Sequence, residues 1–155
     1  MKVRRFSLGT TLALPRERVF PFFAAATNLE QITPPELKFR VVTPLPIEMK
    51  EGSLITYRLS LHGIPFTWLT RISVWNPPHE FVDEQLRGPY RQWIHRHTFT
   101  ERGDGTHMED VVDYALPFYP VGEVAAPIVA AQVRRIFDYR TSAIERLLLN
   151  TRSSQ

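Results

Sequence analysis

The 155-residue chain contains no cysteine. That excludes disulfides, thiolate metal centres and a cysteine nucleophile, and it suits a reducing compartment. No apolar run approaches the roughly 18 residues that a spanning helix requires. The first residues carry Lys2, Arg4 and Arg5, and the apolar positions after them are interrupted by Ser7, Gly9, Thr10 and Thr11. A signal-peptide core needs a continuous apolar stretch, so the expectation is a cytoplasmic protein. Strong charge of one sign is also missing. Lysine and arginine number 19 against 16 acids, giving a net charge of +3. Nucleic-acid binding asks for a stronger basic bias with interleaved aromatics. Arg134, Arg135, Arg140 and Arg146 could form a basic stripe on one helix, and the plain reading is a solvated face. No phosphate loop, dinucleotide fingerprint or serine elbow is present.

What remains is an ordinary globular composition, with 43% apolar and 23% charged residues. The length suits one domain, placed at residues 1–150, with a disordered tail at 151–155. Lys2 to Leu14 alternates as a long first strand. Pro15 opens a helix rich in Phe20, Phe22 and Phe23, which Pro21 should kink or shorten. Thr27-Asn28-Leu29-Glu30 has the form of a capping box for a second short helix. Six strands joined by short turns follow, over Phe39–Thr43, Ser53–Leu61, Phe66–Trp75, Glu80–Leu86, Tyr90–Glu101 and Thr106–Leu116. From about Glu123 to Asn150 the apolar residues recur with helical spacing on one face. The expected fold is α+β: a seven-stranded curved antiparallel sheet wrapped around a long C-terminal helix, with two short helices between strands 1 and 2.

Strand period then assigns the interior. In Tyr90–Glu101 the odd positions Trp93, His95, His97 and Phe99 carry the aromatic mass and should face inward. Phe81 sets the same phase for Asp83 and Gln85, unless a bulge exchanges Asp83 with Glu84. Val112 and Tyr114 bring Asp110 with them, leaving Glu109 outside. Asp83, Gln85, His95, His97, Asp110 and Tyr114 therefore form an expected polar constellation. Tyr57, Trp68, Val133 and Phe137 belong to the expected apolar lining, with Phe22, Phe23, Phe66 and Ile72. His62, His79 and His107 fall in or beside turns and should be solvated.

The element order and several segments resemble the START / birch-pollen-allergen superfamily, and within it the bacterial ligand-binding or polyketide-cyclase-like branch. The resemblance is carried by Asn28-Leu29, Thr33-Pro34-Pro35, Phe81-Val82-Asp83-Glu84-Gln85 and Gly88-Pro89-Tyr90. It continues through Trp93-x-His95-x-His97-x-Phe99, Gly105-Thr106, Asp110-x-Val112-x-Tyr114 and Leu116-Pro117. It implies a helix-grip fold around a cavity, but such a fold does not select one activity.

Three functions are open at this level. The first is binding or transport of a small hydrophobic ligand, lipid-like or aromatic, with apolar walls and a few placed polar groups. The second is an aromatase/cyclase-like enzyme, with His95 or His97 as acid/base and Asp83 or Asp110 orienting it. The third is a regulatory domain that works through its surface. His-x-His with a carboxylate also has metal-ligand form, but two histidines two apart occur in any strand, so no metal and no cofactor is expected. The expected partner is a small hydrophobic molecule. Neither nucleic acid nor stable membrane insertion is expected, and the chain should be a monomer or weak homodimer.

Overall fold

The computed structural model describes residues 1–149, so the expected tail at 151–155 lies outside them. Seven strands form one antiparallel sheet in the order β1-β7-β6-β5-β4-β3-β2. They are β1 (Val3–Leu12), β2 (Arg40–Val41), β3 (Leu54–Leu61), β4 (Ile64–Asn76), β5 (Glu80–Arg87), β6 (Gln92–Arg102) and β7 (Gly105–Ala115). From β2 to β7 the order is a meander of consecutive strands, and two of its connections are two-residue turns. His62-Gly63, both with positive φ (52° and 79°), link Leu61 to Ile64. Gly103-Asp104 link Arg102 to Gly105 in the same way, with Gly103 at φ 60°.

Helix α1 (Arg16–Ala24) is short and contains Pro21. The capping-box expectation is corrected. Ala26–Glu30 is a 3₁₀ turn with Thr27 inside it and no side-chain cap, and the Glu30 carboxylate accepts from the backbone N–H of Val41 instead. A second 3₁₀ turn covers Pro35–Leu37. The long helix starts later than the apolar spacing suggests: Val121–Ala125 is a 3₁₀ turn, and α2 runs Ala126–Ile144 with Pro127 in its first turn. A wider π-type turn, Glu145–Leu149, ends it. No helix among the described residues is long and apolar enough to cross a membrane.

The sheet curls over α2. Val133 and Phe137 are fully buried against Val112 and Tyr114, and Phe6 meets the Phe137 ring at 5.1 Å. At one end, α1 seals the interior: Phe20 and Phe23 pack with Phe81, Phe99 and Ile144. Bulges shift the β4–β5 register between Leu69 and Thr70 and between Ile72 and Val74. The second leaves Ser73 of β4 without a partner, so β5 keeps its alternation through Phe81 and Asp83.

Candidate functional site

Strand β6 delivers the two histidines, and its neighbours deliver the carboxylates. Across the ladder, Phe81 of β5 faces His97 and Asp83 faces His95. On the other side Asp110 of β7 faces His97, and Val112 faces His95. The side chains then pair diagonally. His95 Nε2 lies 2.7 Å from Asp110 Oδ1, and His97 Nε2 lies 2.6 Å from Asp83 Oδ2. His97 Nδ1 is a further 3.3 Å from Asp110 Oδ1, so this ring reaches both carboxylates. His95 Nδ1 stands 3.8 Å from Asp83 Oδ2, beyond hydrogen-bond reach. The two imidazoles have centroids 3.7 Å apart with their planes tilted by 31°, and Phe81 stacks on His97 at 4.1 Å.

Both histidines are buried, at 4% and 5% exposure. Burial opposes charge on His97, but its hydrogen bonds to Asp110 and Asp83 together outweigh that cost and raise its pKa above the ordinary value. Burial and the charge of His97 lower the pKa of His95, more than Asp110 and Asp83 raise it. Burial likewise opposes ionisation of the carboxylates. It is overcome at Asp110 by the hydrogen bonds from His95 and His97, and at Asp83 by the charge of His95 and the bond from His97; both stay below the carboxylate range. The two rings therefore diverge: His97 favours its protonated form more than an ordinary histidine does, and His95 less.

This cluster forms part of the wall of an internal cavity of about 110 Å³. Of the sequence-selected residues, Tyr57, Trp68, Asp83, Trp93, His95, His97 and Phe137 line it. Asp110 lies behind the histidines as their partner and is not in the lining. Gln85 is not in it either. Its carboxamide donates to Tyr90 O at 2.7 Å and accepts from Tyr90 N–H at 3.1 Å, fixing the β5–β6 turn. Tyr114 and Val133 are packed core. Phe23 belongs to the sealed end, Ile72 to a cluster with Ile55, and Phe66 lines a separate surface groove. Glu84 points outward and pairs with Arg71. Of the turn histidines, His79 meets Arg16 and His107 meets Thr11.

The residue that sequence reasoning missed is Arg140. It is not part of a solvated stripe: it lines the cavity, with its guanidinium 4.8 Å over the Phe137 ring. Its Nε is shielded from solvent and has no hydrogen-bond partner. The signal was available, because Val133, Phe137, Arg140 and Ile144 follow the 4-3-4 spacing of one helix face. Tyr90, Thr70 and the 3₁₀-turn residues Leu29 and Leu37 also line the cavity and were not anticipated.

Asp83, His95 and His97 bring three possible metal-ligand atoms within 4.8 Å of one another. In the structure these atoms pair within the protein, His97 Nε2 with Asp83 and His95 Nε2 with Asp110.

No family model and no curated protein matches the sequence. Solved structures do match. A Thermus thermophilus protein superposes with a TM-score of 0.77 at 15% identity, over 96% of this chain and 99% of its own. The Zhui aromatase/cyclase of a Streptomyces species gives 0.74 at 18%, over 94% and 96%. A START superfamily protein of Mycobacterium smegmatis gives 0.69 at 13%, over 92% and 98%. The fold is the helix-grip that these structures share. At such identities the likeness extends to the helix-grip architecture and no further.

Proposed function

We propose that this helix-grip protein binds a small, largely apolar molecule in its internal cavity. The observation that carries the reading is the composition of the wall. Tyr57, Trp68, Tyr90, Trp93 and Phe137 supply aromatic surface, while His95, His97, Asp83 and Arg140 gather the polar groups into one region. Apolar walls with a few convergent polar groups are the general design of ligand pockets. The volume of about 110 Å³ narrows the ligand. Drug-sized sites run from roughly 300 Å³ upward, whereas a cavity of about 150 Å³ holds one benzene ring. At about 110 Å³ this partly open cavity is smaller than that, so one small ring is the most it admits in this conformation, and a lipid chain does not fit. An interior with open space also argues against a domain that works through its surface alone.

A second reading has a specific observation behind it. The cavity wall carries two histidines, each hydrogen-bonded to a carboxylate, with pKa values driven apart, His97 up and His95 down, which is the arrangement of an acid and a base. The Zhui neighbour is an aromatase/cyclase, and proton transfer to a carbonyl ligand is the chemistry these residues could share with it.

The test is native mass spectrometry of freshly purified protein with extraction of any adduct, paired with titration of a hydrophobic dye. Trp68→Ala is expected to weaken dye binding about tenfold or more while the fold survives, as removal of a buried aromatic anchor does. An unchanged affinity would remove the cavity from the account of binding.

A further inference from the structure

The unpartnered Nε of Arg140 is the least explained atom in the interior. Buried donors are almost always satisfied, and an orphan calls for a physical reason. Arg140 reaches the cavity from α2, opposite the strands that carry the histidines. Among the described residues no carboxylate or carbonyl accepts from its Nε, although Asp83 and Asp110 are near enough to act on its charge. Tyr57, whose hydroxyl is held un-ionised by burial, lies on the same lining.

We propose that Arg140 is the recognition point for the polar end of the ligand, and that the ligand is a one-ring compound bearing a neutral carbonyl oxygen. The inference rests on the cavity being a ligand site, and it adds the chemical class. A guanidinium has donors and no acceptor, so it selects an oxygen that accepts, and a carbonyl oxygen, which is acceptor only, satisfies it without leaving a donor of its own to be paired. Charge decides between a carbonyl and a carboxylate. Asp83 and Asp110 already place two buried carboxylates near enough to act on Arg140. A carboxylate ligand would add a third buried negative charge beside them, which is costly, whereas a carbonyl oxygen adds none. The aromatic walls and the small volume favour a flat ring. The carbonyl would then sit within reach of the polar region formed by His95, His97 and Asp83.

The experiment compares acetophenone, ethylbenzene and benzoate by quenching of the tryptophan emission, using wild type, Arg140→Met and Arg140→Gln. Acetophenone and ethylbenzene have nearly the same shape and differ in the acceptor oxygen. Wild type is expected to bind acetophenone about tenfold or more tightly than ethylbenzene, the usual worth of a hydrogen bond from a charged donor. Arg140→Met should abolish that preference and still bind ethylbenzene, which also reports an intact cavity. Arg140→Gln, a neutral donor, should restore part of the preference. Equal binding of acetophenone and ethylbenzene by wild type, or a preference that persists in Arg140→Met, overturns the assignment of Arg140. Benzoate binding more tightly than acetophenone overturns the neutral-carbonyl class. If none of the three binds wild type, the cavity reading itself falls, and this inference with it.

Discussion

Along β6 the inward side chains run Phe99, His97, His95, Trp93, and the interior changes character at the histidines. On the Phe99 side, rings from three elements fill the space. Phe20 of α1 meets Phe99 at 5.1 Å and Phe81 at 5.9 Å, both edge-on. On the Trp93 side, the rings of Trp68, Tyr90 and Trp93 also touch, but they stand around a cavity. The same three strands, β5, β6 and β7, serve both ends. One end is packed to interior density and the other leaves space, so stability and occupancy are separated along a single row of residues. The polar cluster sits at the boundary, where Phe81 stacks on His97.

Truncation should break the comparison most sharply at the filled end. Phe99 is 2% exposed. Phe99→Ala leaves a cavity in a close-packed region and is expected to cost about 3–5 kcal/mol in denaturant unfolding. Trp68→Ala enlarges a space that already exists, so its cost should be clearly smaller although the side chain is larger. Equal losses would mean that the two ends are packed alike.

The boundary cluster gives the next effect, and pH separates it from packing. Asp83 and Asp110 have folded pKa values below their unfolded ones. Their contribution is therefore fully present above the unfolded value of about 3.9 and is lost as pH falls below it toward the folded values. His97 is raised, so its contribution is present below about 6.5 and fades as pH rises through its folded value; His95, lowered, runs the other way. Asp110→Asn should cost about 1–3 kcal/mol at neutral pH, and the deficit should shrink on acidification below pH 4. Phe99→Ala should show the same deficit at every pH. Proton NMR of wild type should find one buried histidine titrating above the ordinary range and one below. Two histidines titrating together would dissolve the assigned roles.

The strands and their phase were legible because a half-buried sheet prints its two-residue period on the sequence. Trp93, His95, His97 and Phe99 could be placed on one face without coordinates. Asp83 was the exposed point of that reasoning, since a one-residue slip would have exchanged it with Glu84. The bulge beside Asp83 falls on β4 at Ser73, whereas the one on β5 falls past it at Leu86, and nothing in the sequence of β5 states which strand takes the extra residue. Gln85 was misplaced for a different reason. Period assigns a side, but a carboxamide next to a turn can satisfy backbone groups locally, and here Tyr90 claims both ends of it. The Thr27–Glu30 capping box failed because Glu30 has a better use on Val41. Arg140 was passed over on residue type, although its helical position placed it inside. Position on an amphipathic helix outranks charge when the long stem can cover apolar surface and the head can reach a cavity.

The smallest effect concerns how the open end is reached. Leu37 and Ile136 line both the inner cavity and an outer groove of about 630 Å³ between α2 and the β3–β4 turn. Beside them Arg135 Nε donates to Glu36 Oε1 at 2.6 Å, tying α2 to the 3₁₀ turn at Pro35–Leu37. Both side chains are exposed, so the pair should contribute little to global stability. Its position bears on rate instead, since a ligand passing from groove to cavity would pass Leu37 and Ile136, which line both. Glu36→Gln is expected to leave the unfolding midpoint where it was and to raise dye association and dissociation rates together, with affinity almost constant. Stopped-flow mixing separates the two rates. An unchanged association rate would put the entrance elsewhere, and the filled end, sealed by α1, would then have to be reconsidered as a way in.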